Sequence, residues 1–105
     1  MCLEEMKRID DCKNEKELVK LAEEINDKII FKYYNEKQME HLVNKLLKLD
    51  FLSVKYETRE EILNVLCDAV SNYNISSKID WTNILKIVDK LENDLKEYVT
   101  EFLHD

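Results

Sequence analysis

Glycine and proline are both absent from this 105-residue chain, so no left-handed turn has its usual residue and no helix or strand its usual breaker. Tight hairpins, glycine-rich crossovers and phosphate-cradling loops are excluded with them. Histidine occurs twice, at His41 and His104, which leaves little for acid–base chemistry at neutral pH. Cys2, Cys12 and Cys67 form an odd set with no C-x-x-C pair, arguing against a disulfide framework or a zinc site and for a reducing, cytoplasmic setting. No apolar run approaches the ~18 residues that a membrane span needs, and the first ten residues mix charges of both signs instead of forming a leader.

What is present is a chain of 45% hydrophobic and 37% charged residues, closely interleaved. That mixture is enough for one folded core and unlike a disordered tail. We read it as a single α-helical domain over residues 1–105, a bundle of about four to six helices joined by Asn, Asp and Ser turns. Leu3, Met6 and Ile9 mark a short first helix. After a cap at Asn14, Leu18, Leu21, Ala22 and Ile25 make a second stripe, and periodicity does not decide the course of Ile29 to Tyr34. Asn35 with Gln38 forms a capping-box pair ahead of Met39, Leu42, Val43, Leu46 and Leu47. Thr58 with Glu61 reads as a second capping box, followed by Ile62, Val65, Leu66, Ala69 and Tyr73. Asp80 caps a last helix whose apolar residues, Ile84, Val88, Leu91, Leu95, Tyr98 and Phe102, recur without a break, which predicts one helix over 81–104 or a helix kinked near Asn93. The segments 42–70 and 84–103 lie about 40 residues apart, the spacing of HEAT-like helix pairs.

The formal charge of −7 is unevenly placed: residues 1–55 carry −1 and residues 56–105 carry −6. Phosphate contacts need lysine and arginine, so nucleic acid is a poor direct partner and a basic protein a better one. Catalysis has no evident apparatus. Glu101 and His104 match the Glu-x-x-His spacing of di-iron bundles, but Gln38 stands three residues before His41, so the second motif is missing. Cys67, at the edge of an apolar stripe, reads as a small buried hydrophobe. We therefore expect neither enzyme activity nor cofactor nor metal.

A helical wheel instead places Glu57, Glu61, Asn64 and Asp68 in one sector opposite the apolar stripe of their helix, and Asp94, Glu97 and Glu101 on one flank of the last. Such rows keep a helix solvated, and they also form a face for a cationic partner. The aromatic residues Trp81, Tyr33 and Tyr34 are the alternative anchors for an interface.

Residues 58–75, TREEILNVLCDAVSNYNI, followed by Ile-Asp-Trp and a helix ending YVTEFL, resemble the small all-α immunity proteins of bacterial contact-dependent-inhibition and Maf-type polymorphic toxin systems. The residues that carry the likeness are Leu63, Leu66, Cys67, Asp68, Tyr73, Asn74 and Ile75, within a region spanning 58–103. The resemblance implies a cytoplasmic, non-catalytic protein that binds and blocks the toxic domain of a delivered effector, commonly a basic nuclease domain. It assigns no binding residues. A second class fits the same chain: a helical adaptor or regulatory module that docks a partner through an apolar groove.

Overall fold

In the computed structural model, which describes residues 4–103, six α-helices and two short 3₁₀ turns account for the regular structure and no strand occurs among the described residues. The helices are α1 (Glu4–Asp11), α2 (Glu15–Ile30), α3 (Glu36–Leu46), α4 (Tyr56–Asn72), α5 (Thr82–Ile87) and α6 (Asn93–Leu103). Cys2, Leu3 and His104, named above, lie outside the described residues. No described helix is long and apolar enough to cross a membrane.

Helix α4 is the axis of the fold, packed against α2 on one side and α6 on another. Its buried residues include Ile62, Leu63, Val65, Leu66, Ala69 and Val70, which cover more than one face of the helix. A helix buried on several sides needs that distribution, whereas α2 and α3 each bury one stripe: Leu18, Leu21, Ala22, Ile25 and Ile29 in α2, and Met39, Leu42, Val43 and Leu46 in α3.

The helix ends show how a chain without glycine manages its turns. Asn14 accepts from the Glu17 N–H, and Asn35 with Gln38 closes a complete capping box, as the spacing predicts. Helix α2 leaves through a Schellman exit: the Lys32 N–H donates to the Ile29 carbonyl at 3.0 Å and the Tyr33 N–H to the Lys28 carbonyl at 2.9 Å. Lys32 sits there at φ 54°, the one non-glycine residue with positive φ among those described. A lysine in the left-handed region costs about 1 kcal/mol relative to glycine. This exit settles the course of residues 29–34: Ile29 and Tyr34 are buried, while Ile30, Phe31 and Tyr33 face solvent.

Two expectations are corrected. The Thr58–Glu61 capping box does not form, because α4 begins earlier, at Tyr56, with Lys55 as its cap residue and no local side-chain cap. Glu15 on α2 replaces it from a distance: its Oε1 accepts both the Lys55 N–H and the Thr58 hydroxyl, each at 2.7 Å. Of the two alternatives for 81–104, the unbroken helix is excluded, and the chain breaks just before Asn93, where α6 begins. Asp80 accepts the Thr82 N–H at 3.1 Å, but the cap residue of α5 is Trp81, and the helix runs only to Ile87; a 3₁₀ turn covers Val88–Lys90, and Leu91 is extended.

Distance makes the break plain. One straight helix across 81–103 would be roughly 34 Å long, and it would hold Trp81 and Phe102 roughly 31 Å apart. Instead the two rings stack at 5.0 Å between centroids. The reversal brings Ile84, Leu91, Leu95 and Phe102 into one core with α4, in a domain whose longest extent is 33 Å.

Candidate functional site

Helices α4 and α6 meet where the Cys67 thiol donates to the Tyr98 carbonyl at 3.3 Å. Above that contact lies a shallow depression of about 220 Å³ lined by Glu60, Asp94, Glu97, Tyr98 and Glu101. Tyr98 is half-buried in its lining, while Asp94, Glu97 and Glu101 are exposed. Tyr56, in the first turn of α4, donates its hydroxyl to Asp94 and lies 3.4 Å from Glu60. Among the described residues, no lysine or arginine is ion-paired to any of Glu60, Glu61, Asp68, Asp94, Glu97 or Glu101; the ion pairs that exist lie elsewhere.

Three groups beside the depression are shifted upward, first by burial and then by the neighbouring carboxylates. Burial, then Glu23, Glu60 and Asp68, raises the carboxyl of Glu61 above the usual range. Burial, then Glu101 and Asp68, pushes the Cys67 thiol up to about 12. The Tyr98 phenol is raised by burial and by Glu60, Cys67, Asp94 and Glu61. A thiol so shifted is not a nucleophile at neutral pH.

The structure sorts the expected acidic face. Asp94, Glu97 and Glu101 are brought together. Glu61 and Asp68, both half-buried on α4, border the same cluster: Asp68 acts on Glu61 and on Cys67, and Glu61 acts on Tyr98. Glu57 is separated from them: it lies in a different depression, of about 530 Å³, between α2 and the start of α4, where Lys16, Lys20 and Lys55 also stand. Asn64 is half-buried on α4 and lines neither depression.

Sequence reasoning missed Glu60, Tyr56 and Tyr98. Glu60 was legible, since it falls within about 60° of Glu57 on the helical wheel. Tyr98 reads as a stripe residue from its spacing, and its place in the lining of the depression depends on the angle at which α6 meets α4. The alternative aromatic anchors are partly spent on the fold: Trp81 stacks on Phe102 and donates to the Ser76 carbonyl at 3.1 Å. Tyr34 is buried and donates to Glu5. Tyr33 alone of the three is open, at 65% exposure.

His41 is half-buried on α3, and the Glu101-x-x-His104 spacing runs beyond the described residues. Among the described residues no group of three or more His, Cys, Asp or Glu side chains is arranged to hold a metal ion. Comparison with protein-family models, with curated proteins and with solved structures finds no match to this chain.

The raised Glu61 carboxyl has a measurable consequence. A carboxylate whose folded pKa lies above its unfolded value opposes folding once ionised; this cost is full above the folded pKa and vanishes as pH falls below the unfolded one. Glu61→Gln should therefore raise the melting temperature at pH 7 by roughly 1–3 °C, the size of one relieved like-charge contact. The gain should shrink as the pH is lowered through the carboxylate range. A lower melting temperature at pH 7, or a gain unchanged by acid, would show that Glu61 is not held in a repulsive cluster.

Proposed function

We propose that this protein is a non-catalytic immunity protein that binds and neutralises a basic toxin domain, with the acidic α4–α6 groove as its contact surface. The observation that carries the reading is the groove itself: Glu60, Asp94, Glu97 and Glu101 surround Tyr98 with no ion-paired cation among the described residues. Like charges held together oppose folding, and a cationic partner removes that cost on binding. The resemblance of residues 58–103 to small all-α immunity proteins supports the same assignment.

The test is co-expression with a basic toxin domain, chosen first from any secreted protein that the neighbouring reading frame is found to encode. The chain should restore growth and form a stoichiometric complex, and association should slow steeply between about 50 mM and about 500 mM salt. Glu97→Lys combined with Glu101→Lys should leave the circular dichroism spectrum intact, since lysine is as good a helix former as glutamate. The pair should slow association at low salt by roughly tenfold or more. A double variant that associates and protects like the parent would remove the groove from the interface, and failure of the parent to bind or protect would overturn the immunity reading.

One observation favours a second reading. Ile30, Phe31 and Tyr33 are 61%, 83% and 65% exposed on a single turn, an apolar surface through which a helical adaptor or regulatory module could dock a partner protein. Binding carried there would respond little to salt and would survive the charge reversal.

A further inference from the structure

Helix α1 is held differently from the rest of the fold. Three of the four ion pairs among the described residues tie it down: Arg8 to Glu24 at 2.7 Å, Glu5 to Lys28 at 3.4 Å and Asp10 to Lys45 at 2.6 Å. The first two partners lie on α2 and the third on α3, the two helices against which α1 packs. Among the described residues its apolar hold is Ile9, which is buried, and Met6, packed partly against the core, with Cys12 just past its end. Its other buried residue is the Glu5 carboxylate, which accepts from the Tyr34 hydroxyl.

We propose that α1 is an electrostatic strap, closed over α2 and α3 by these ion pairs and able to open while α2–α6 stay folded. Two features make that opening separable. Helix α2 does not need α1 for its start, because Asn14 caps it and the Lys13 N–H donates to Glu17 at 3.0 Å. The strap is also fastened in solvent: the Arg8 and Glu24 side chains are each 42% exposed and that of Asp10 is 62% exposed. Added salt therefore screens at least two of the three pairs. Opening uncovers the part of the α2 and α3 apolar surface on which Ile9 and Met6 rest, and it frees the Tyr34 hydroxyl from Glu5. Elements with little apolar burial and exposed polar fastenings are those that open below the global transition.

Hydrogen exchange on the full chain tests this. The amides of Arg8 to Asp11, which follow the first turn of α1, should exchange at least roughly tenfold faster than those of Val65 to Ala69 in α4. Their exchange should accelerate further at about 1 M salt, while the α4 amides and the helical signal stay unchanged. Glu24→Gln with Lys45→Gln leaves the sequence of α1 intact, so intrinsic exchange rates there are preserved. This pair should accelerate the α1 amides by roughly three- to tenfold at low salt. The proposal is overturned if the α1 and α4 amides exchange together, or if neither salt nor the double variant changes the α1 rate.

Discussion

Truncation of Leu66 to alanine is expected to destabilise the protein by about 2–5 kcal/mol. Leu66 is fully buried in α4, the helix that packs against both α2 and α6. A cavity at such a crossing is lined by side chains of several helices, and none of them can move into it without leaving its other contacts. The upper half of that range would take up much of the about 5–15 kcal/mol by which domains of this kind are stable. Leu85→Ala is the matched control: Leu85 is 54% exposed on α5 and its truncation should change stability by less than about 0.5 kcal/mol. Chemical denaturation of both variants checks the pair, and equal losses would mean that α4 does not occupy the centre of the fold.

The apolar residues of α2, α3 and α4 were legible because each helix repeats its buried positions over three or more turns, and period 3.6 has no competitor over such a length. Local caps were legible for the same reason of range. Asn35 and Gln38 are three residues apart and need nothing else. Thr58 and Glu61 show the limit of that reasoning. The pattern is equally good, but Glu15, 43 positions before Thr58, claims the Thr58 hydroxyl, and no window of sequence contains both. The last helix failed differently. Ile84, Leu91, Leu95 and Phe102 keep helical phase across a reversal of the chain, so periodicity reports which residues are buried without reporting that the axis turns between them. Only the Trp81–Phe102 stack requires the turn.

The candidate groove divides along the same line. Asp94, Glu97 and Glu101 share a flank of one helix, and the wheel finds them. Whether Glu57 or Glu60 joins them from α4 depends on where α6 crosses, which is tertiary information. The helix packing chose Glu60, and left Glu57 beside the lysines of α2 and Lys55.

Replacement of Arg59 by methionine should cost about 2–4 kcal/mol, although nothing in the sequence marks this arginine. Its side chain is 11% exposed, and its guanidinium organises the chain on both sides of α4. Nε donates to the Phe51 carbonyl at 2.7 Å and Nη2 to the Val54 carbonyl at 2.8 Å, fixing the connection from α3. Nη1 donates to both oxygens of Glu92 at 2.7 and 2.8 Å, at the point where the chain turns from α5 into α6. Methionine fills a similar length and donates nothing, so the two carbonyls lose their side-chain donor in a partly buried setting. Arg59→Lys should recover only part of the loss, because an ammonium is a point charge and cannot reach acceptors spread around a planar fork. Glu92 is 44% exposed and regains water when its partner is lost, so Glu92→Gln should cost less than about 1 kcal/mol. The expected order of stability is therefore parent, Glu92→Gln, Arg59→Lys, Arg59→Met, measured by urea unfolding. Should Arg59→Met prove no worse than Glu92→Gln, the bonds to Phe51 and Val54 would carry no stability, and the connection between α3 and α4 would have to be held by the burial of Phe51 and by the Glu15 bond to Lys55.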